Sequence, residues 1–289
     1  MSFPAREIPA PLCGHTESGS ALESRGRTAV CPVCRSFWDL DSLAAEVRYD
    51  AAYCQQRQHA DERTGELKFR SLARWLDAER IDVAGRVVCE VGFGGGHVLR
   101  GVAARGAKVS GIEASPAARE AARALGLAAD RLHAAERLPE RLEPAVDVWL
   151  FLDSFELLPQ PAEFLAWLAR SSSPQALALV VAPDAASPSA RWLGRAWPHR
   201  LADHPFHWSR RGLAELWGRR GWALRSAFSP TKLVSPAMLL AHALLKLDVR
   251  PGVAEGVLAR TGRLGRFALP FNIGELGLVF ANRAGAAGA

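Results

Sequence analysis

The sequence predicts an α/β fold in which a mostly parallel sheet carries helices on both faces. From Val87 onward, apolar segments that suit buried strands alternate with segments that suit amphipathic helices. Such alternation is typical of parallel sheets, whose crossover helices cover both faces of the sheet. With 289 residues, the chain is long enough for one domain of about 200 residues and an appendage.

Composition places the protein in a broad class. The formal net charge is +6, and five cysteines in a chain of this length do not suggest a disulfide framework. There is no apolar run of about 18 residues and no basic and apolar leader at the N-terminus. These observations predict a cytoplasmic protein without a membrane span.

The segment from Val87 to Glu113 predicts a nucleotide-cofactor site. Valines suit a buried strand here, and a turn rich in glycine follows: Gly92, Gly94, Gly95 and Gly96. A helix is predicted from His97 to Arg105, and a second strand from Lys108 to Ile112. Glu113 then lies at the carboxyl end of that strand, where a carboxylate can accept hydrogen bonds from both hydroxyls of a ribose.

Later segments extend the same pattern. Ser115 and Pro116 suit the start of a helix, and Pro161 begins another. Ser209 suits the N-cap of a third helix. Further strands are predicted at Arg131–His133, at Ala145–Phe151, at Ala176–Ala182 and, near the C-terminus, in GELGLVFANR.

The spacing of the glycines discriminates between cofactor classes. A dinucleotide site needs G-x-G-x-x-G, but with Gly92 as the first position His97 occupies the sixth. The chain has instead E-x-G-x-G-x-G, from Glu90 to Gly96. This motif, with an acid closing the next strand, resembles class I S-adenosylmethionine-dependent methyltransferases. A carboxylate near the turn favours a donor that carries a cationic amino group and a sulfonium. The alternative is a turn that only lets a helix pack closely on the sheet.

The resemblance implies a Rossmann-like, seven-stranded sheet and S-adenosylmethionine as cofactor. It is strongest from Val87 to Leu224 and defines a methyltransferase domain at 81–283. Ala134 stands where the family has an aspartate that contacts adenine, so we place this contact at Ala135. After the fourth strand, Asp153 and Glu156 match the family, whereas Leu157 replaces a common histidine. The implied cofactor-binding residues are Glu90, Gly92, Gly94, Gly96, Glu113, Ala135, Asp153 and Tyr53.

Residues 1–40 resemble a degenerate zinc ribbon. Cys31 and Cys34 form a C-x-x-C pair, Cys13 lies upstream, and Ala10 stands where the ribbon's first cysteine is expected. Tetrahedral zinc needs four ligands. We therefore expect structural zinc held by Cys13, Cys31, Cys34 and His15. Cys54 or His59 could replace His15, and a segment that folds without metal is the alternative.

Residues 41–80 are predicted to form a helical cap. Tyr49 and Tyr53 lie four residues apart and so on one helical face, and Leu72, Trp75 and Leu76 form a second apolar stripe. Both stripes could simply pack on the sheet. The functional alternative, supported by the resemblance, is that the tyrosines close over the cofactor.

A substrate-cap insertion near 185–208 is predicted to border the acceptor pocket. In ADHPFHWS, His204 matches the family's recurring histidine and Trp208 the aromatic residue. A histidine suits removal of a proton from an acceptor hydroxyl. We therefore expect His204 to be the base and His207 the second choice, with Asp153 or Glu156 as acidic alternatives.

The acceptor is predicted to be a small molecule, such as a secondary metabolite, a sugar or a lipid intermediate. Oxygen is the preferred methylated atom, with carbon or nitrogen as alternatives. Arginines interleaved with tryptophans between Arg191 and Arg225 also fit a nucleic-acid modifier or binder, but the excess charge is modest. A donor-binding protein without chemistry and a dinucleotide enzyme remain as further classes.

The apolar insert near 230–268 suits a lid or a core helix, and a disordered tail is predicted at 284–289. The sequence predicts no oligomeric state.

Overall fold

The computed structural model describes residues 13, 23–25, 28–39, 62–201, 204–235 and 267–284. Several predicted features lie outside these residues. They are His15, Cys54, His59, both tyrosines of the cap, nearly all of the apolar insert, and the tail beyond residue 284.

The described residues form thirteen strands and six α-helices. The strands are β1 (Glu23–Arg25), β2 (Thr28–Val30), β3 (Phe37–Asp39), β4 (Val87–Val91), β5 (Lys108–Glu113), β6 (Leu132–Ala134), β7 (Val146–Leu152), β8 (Ser172–Pro183), β9 (Phe206–His207), β10 (Trp222–Phe228), β11 (Lys232–Val234), β12 (Leu269–Phe271) and β13 (Glu275–Asn282). The helices are α1 (Glu62–Ala78), α2 (His97–Ala104), α3 (Pro116–Ala124), α4 (Pro161–Arg170), α5 (Pro188–Leu193) and α6 (Arg210–Gly218).

A seven-stranded sheet forms the centre of the fold, as predicted. Its strand order is β10-β13-β8-β7-β4-β5-β6. Within this sheet, the five strands from β4 to β8 pair in parallel. Strand β13 is antiparallel to both of its neighbours, β8 and β10. The predicted antiparallel last strand is therefore confirmed. This is the Rossmann-like arrangement that the sequence predicts.

Alternate residues of the central strands build two apolar layers, because successive side chains of a strand point to opposite faces. Trp149 and Phe151 of β7 pack on one face with α4 and α6, where Trp217 stacks on Phe280 with ring centroids 4.6 Å apart. Val148 and Leu150 pack on the other face with α1 and α2. Both faces of the sheet are thus covered.

The helix starts follow the predicted capping residues. The Ser115 hydroxyl accepts a hydrogen bond from the amide of Ala118, and the Ser209 hydroxyl accepts one from Gly212. The fifth core strand is longer than predicted, because Ser172 at its start pairs with Val146 of β7. Sequence pattern alone placed its start at the first fully apolar residue, Ala176.

A second, antiparallel sheet joins the N-terminal strands to the substrate-cap insertion. Its order is β1-β2-β3-β9, and Phe37 of β3 pairs with His207 of β9. The cysteine pair lies in the turn between β2 and β3, where the amide of Arg35 donates to the carbonyl of Cys31. The N-terminal strands therefore pack beside the predicted acceptor region.

Strands β11 and β12 pair as a separate two-stranded ribbon. The amide of Leu233 in β11 donates to the Ser71 hydroxyl of α1, which ties this ribbon to the helix. Among the described residues, none of the helices is both long and apolar enough to cross a membrane.

Candidate active site

The glycine turn after β4 adopts a backbone conformation that favours glycine. Gly92, Gly94 and Gly96 have φ angles of 74°, 55° and 83°. A Cβ on Gly92 would lie 2.7 Å from Cβ of Ser154, and one on Gly96 would lie 2.8 Å from Cβ of Ala122. The glycines therefore let the turn pack closely on its neighbours at the carboxyl edge of the sheet, where ligands of parallel sheets bind, and Gly92 is exposed there.

Glu113 ends β5 and is fixed on both sides. One carboxylate oxygen accepts a hydrogen bond from the amide of Gly94, and the other accepts one from the amide of Ser115, each at 2.9 Å. Each oxygen keeps a further lone pair. The carboxylate is thus oriented beside the glycine turn with capacity left for ribose hydroxyls.

Glu90 is buried beneath the turn with a polar atom unsatisfied. Only 3% of its surface is exposed, and its Oε2 has no hydrogen-bond partner among the described residues. Burial raises the pKa of this carboxyl to about 8, against an opposing effect of Lys68 and with a smaller contribution from Glu113. Without a ligand this carboxyl is therefore mainly protonated near neutral pH, and a cationic ligand group beside its unpartnered oxygen would favour the charged form.

Lys68 faces the same region from α1, and sequence patterns did not single it out. Helix α1 packs closely on α2, since a Cβ on Gly65 would lie 2.3 Å from His97. Gly65, Lys68 and Leu72 share one helical face, of which Gly65 and Leu72 are buried. The Lys68 charge partly opposes the burial that raises the pKa values of Glu90 and Glu275, and it adds to the effect of Lys232 in lowering the pKa of Asp153. Within the described residues it makes no hydrogen bond.

Asp153 follows β7 with a φ of 58°, a conformation that non-glycine residues rarely adopt. Its two carboxylate oxygens each lie 2.7 Å from Nζ of Lys232, and the same ammonium contacts Glu275. Burial raises the pKa of Asp153, but the Lys232 charge outweighs it and lowers the value to about 2. This partly buried ion-pair cluster lies at the carboxyl end of β7.

Glu156 lies beside this cluster on the 3-10 helix Phe155–Leu157. Its side chain is buried, and neither carboxyl oxygen has a hydrogen-bond partner on another described residue. Burial and the neighbouring Asp153 charge raise its pKa to about 8. Near neutral pH, Glu156 is therefore mainly protonated and has a proton available for a hydrogen bond to a ligand.

The two predicted histidines lie together and are both buried. The ring centroids of His204 and His207 are 6.2 Å apart. His207 stacks on Phe37 at 4.3 Å, and burial, assisted by the charges of His204 and Arg200, lowers its pKa to about 3. A ring with so low a pKa is a weak base. This geometry favours His204 over His207 as a proton acceptor.

The predicted adenine contact lies at the end of β6. Ala135 is exposed, and its amide donates to the carbonyl of Glu113 at 3.3 Å. That amide is thus already used within the sheet. Tyr53, the remaining predicted cofactor contact, lies outside the described residues.

Three cysteines converge in the small sheet. The sulfur atoms of Cys13, Cys31 and Cys34 lie within 4.8 Å of one another, and all three residues are buried. A hydrogen bond from Cys13 lowers the pKa of Cys34 to about 4, in spite of burial. Thiolates are the form that binds zinc. The fourth predicted ligand, His15, lies outside the described residues.

The structure thus brings the predicted motif residues together at one edge. Glu90, the glycine turn, Glu113 and Asp153 all lie at the carboxyl ends of β4, β5 and β7. The methyltransferase domain family matches residues 58–227, more than half of the chain.

The chain belongs to the methyltransferase domain family.

Curated relatives of this methyltransferase domain match a shorter part of it. The ubiquinone biosynthesis O-methyltransferase of Pseudomonas paraeruginosa is 38% identical over 96 residues, which is 32% of this chain and 41% of the relative. The corresponding protein of Alkalilimnicola ehrlichii is 38% identical over 95 residues, or 31% of this chain and 38% of the relative. The chain therefore spans about two fifths of the length of the curated relatives it matches.

Solved structures agree on the fold of this methyltransferase domain. A chain from the complex between the Trm112 methyltransferase activator of Haloferax volcanii and a protein assigned as a methyltransferase has a TM-score of 0.53 at 19% identity. The match covers 82% of this chain and 99% of that one. A Bacillus halodurans protein, also assigned as a methyltransferase, has a TM-score of 0.52 at 17% identity, covering 73% and 98%. At these identities the likeness concerns the fold alone.

Proposed function

We propose that this protein transfers a methyl group from S-adenosylmethionine to a small-molecule acceptor. The observation that carries the proposal is the position of two acids, Glu90 and Glu113, beside the glycine turn. Glu113 is oriented for hydroxyl groups, and Glu90 keeps a buried carboxyl oxygen without a described partner. Together they suit a ligand with a ribose at one end and a cationic centre at the other.

Each part of the donor has a candidate partner. Glu113 would hold the ribose hydroxyls, and the backbone of Gly92 and Gly94 would lie against the amino acid moiety. Lys68 makes no hydrogen bond with another described residue, and its charge acts on both Glu90 and Asp153, so it would pair with the donor's carboxylate. When bound, the donor supplies an activated methyl group; the protein's residues align it and exclude water.

The acceptor atom is proposed to be oxygen, with His204 as the base. Removal of a hydroxyl proton requires a neutral imidazole close to the acceptor, and His204 lies on the buried loop before β9. Glu156, mainly protonated, would donate a hydrogen bond to a neighbouring oxygen of the acceptor. Carbon and nitrogen remain the alternative methylated atoms.

The acceptor class is proposed to be a small hydroxylated molecule, with a lipid intermediate as the first choice. Relatives with partial matches are ubiquinone biosynthesis O-methyltransferases. A nucleic-acid substrate is less favoured, because base stacking needs exposed aromatic rings. Of the five tryptophans between Arg191 and Arg225, four are buried: Trp197, Trp208, Trp217 and Trp222.

Structural zinc is proposed for the cysteine cluster. The three converging thiols and the low pKa of Cys34 support a metal ligand set, with His15 as the fourth ligand. Zinc there would join the turn after β2 to α6, since Cys34 hydrogen-bonds Ser36, whose hydroxyl accepts from the amide of Ser209. The metal would thus act on the folding of the small sheet, which also carries His207.

The substrate class can be tested with a methyl-labelled donor. Purified protein is incubated with labelled S-adenosylmethionine and, separately, with a bacterial small-molecule extract and with total RNA. We expect label in organic-soluble or small polar products that resist mild base treatment, as ethers do. Label that appears only in RNA would contradict the small-molecule proposal.

A further inference from the structure

Large apolar side chains are exposed mainly on two segments of the chain. Trp192 on α5 is 88% exposed, and Phe267, Leu269 and Phe271 in and before β12 are 64%, 53% and 37% exposed. These are four of the five large apolar residues that are exposed in the described part of the chain. A tryptophan this exposed is unusual in a soluble fold and indicates a contact surface.

The two segments are joined to each other. The Ser189 hydroxyl of α5 donates to the carbonyl of Ile273 at 2.9 Å, and the indole of Trp197 donates to the same carbonyl at 3.2 Å. Gly274, with a φ of 91°, packs so closely on α5 that a Cβ would lie 2.3 Å from the Ser189 hydroxyl. Trp192 lies one helical turn after Ser189, and β12 ends just before this junction. The two segments that carry the exposed apolar residues are therefore neighbours in the fold.

The charge of these two segments is positive. Arg191 and Arg195 flank Trp192, both are exposed, and neither forms an ion pair with a described residue. Residues 185–201 and 267–274 contain no aspartate or glutamate. Glu275, the next acid along the chain, is buried against Lys232. Asp184, which directly precedes the first of these ranges, is half-buried and accepts a hydrogen bond from the amide of Ala186. An apolar surface flanked by arginines is complementary to a negatively charged surface with an apolar interior.

We propose that this face, formed by α5 and the chain from Phe267 to Phe271, binds the surface of an anionic lipid bilayer. Trp192 would insert at the level of the headgroups, which indole rings favour, and Phe267 and Leu269 would contact the acyl boundary. Arg191 and Arg195 would contact lipid phosphates. This is binding to one leaflet and needs no spanning helix.

A second copy of the chain fits this face less well. A symmetric contact through the same surface would bring the arginines of both copies together, and the described segments offer no acid to pair with them. Like charges without partners disfavour such a contact. Charge complementarity therefore selects the lipid surface.

The experiment is sedimentation of the full chain with vesicles. One set contains phosphatidylcholine alone and the other phosphatidylcholine with phosphatidylglycerol. We expect the wild-type protein to pellet with the anionic set, and the bound fraction to fall at least fivefold for Trp192→Ser and for the double variant Arg191→Gln/Arg195→Gln. The matched control, Arg219→Gln/Arg220→Gln, removes the same charge from the end of α6 and should bind like wild type. Unchanged melting temperatures confirm folding.

Three results would overturn the proposal. The wild-type protein could stay in the supernatant with anionic vesicles, or Trp192→Ser could pellet as fully as wild type. Sedimentation velocity without vesicles could instead show a dimer that Trp192→Ser abolishes, which would make a second copy the occupant. The test needs no donor or acceptor, so its outcome is independent of the proposed methyl transfer.

Discussion

The carboxylate of Glu113 accepts a hydrogen bond from the amide of Gly94 at 2.9 Å. The end of β5 therefore holds the glycine turn that follows β4, although the two residues come from different strands. The same carboxylate accepts from Ser115, the N-cap of α3. One acid thus sets the position of the turn and of the next helix, and its own orientation is fixed before any ligand arrives.

The role proposed for Lys68 predicts a selective loss of affinity. Lys68→Met should weaken binding of S-adenosylhomocysteine about tenfold or more, because a hydrogen-bonded ion pair with its carboxylate is lost. Binding of 5′-methylthioadenosine, which lacks that carboxylate, should not change. Calorimetry with both ligands measures this, and Arg70→Met, an exposed residue of the same helix, is the control. Equal weakening for both ligands, or for neither, would refute the assignment.

The buried Glu90 predicts a dependence of stability on pH. Its pKa is about 8 in the folded protein, against an unfolded value near 4.5, so the folded state holds the extra proton between these values. The stability from this group is therefore present at low pH and declines as pH rises towards and through 8. Urea unfolding at pH 6.5 and 8.5 should show a smaller decline for Glu90→Gln than for wild type. The same decline in both would contradict the assignment; Glu120→Gln, at an exposed site on α3, is the control.

The histidines predict a separation of turnover from binding. His204→Gln should lower the rate of methyl transfer by about 10²-fold or more while leaving donor affinity nearly unchanged, as expected for loss of a general base. His207→Gln should retain much more activity, because its low pKa makes that ring a weak base. Label transfer to the small-molecule extract gives the rate, and calorimetry gives the affinity. The reverse order of the two variants would assign the base to His207.

The cysteine cluster predicts a metal-dependent stability. Purified protein should contain close to one zinc per chain, and Cys34→Ser should lose most of it together with several degrees of melting temperature. Cys89→Ala is the matched control, since Cys89 is buried in β4 away from the other cysteines. It should lose stability but keep the metal. Zinc-free wild-type protein, or full zinc in Cys34→Ser, would contradict the ligand assignment.

Much of the central sheet could be predicted from local pattern. Valine-rich strands, the glycine turn and the caps at Ser115 and Ser209 are encoded by neighbouring residues, so their positions followed from the sequence within a few residues. The fifth strand was predicted too short because its first residues are polar and are ordered by pairing with β7. The local pattern there contains no apolar signal.

The contacts that complete the site could not be predicted in this way. Lys232 meets Asp153 across 79 residues of sequence, and Glu275 across 43. Lys68 lies near the carboxyl edge of the central sheet because α1 packs on α2 through Gly65. Sequence also gave no reason to separate Trp192 from the buried tryptophans around it, since exposure depends on which strands and helices finally pack together.

The central claim is that Glu90 and Glu113 hold S-adenosylmethionine around the glycine turn. Titration of the purified chain with S-adenosylhomocysteine in a calorimeter tests it most directly. The account predicts saturable binding at one site, strongly weakened in Glu113→Ala and unchanged in Glu120→Gln. An absence of heat and of thermal stabilisation in the wild-type protein, or equal binding by Glu113→Ala, would contradict it.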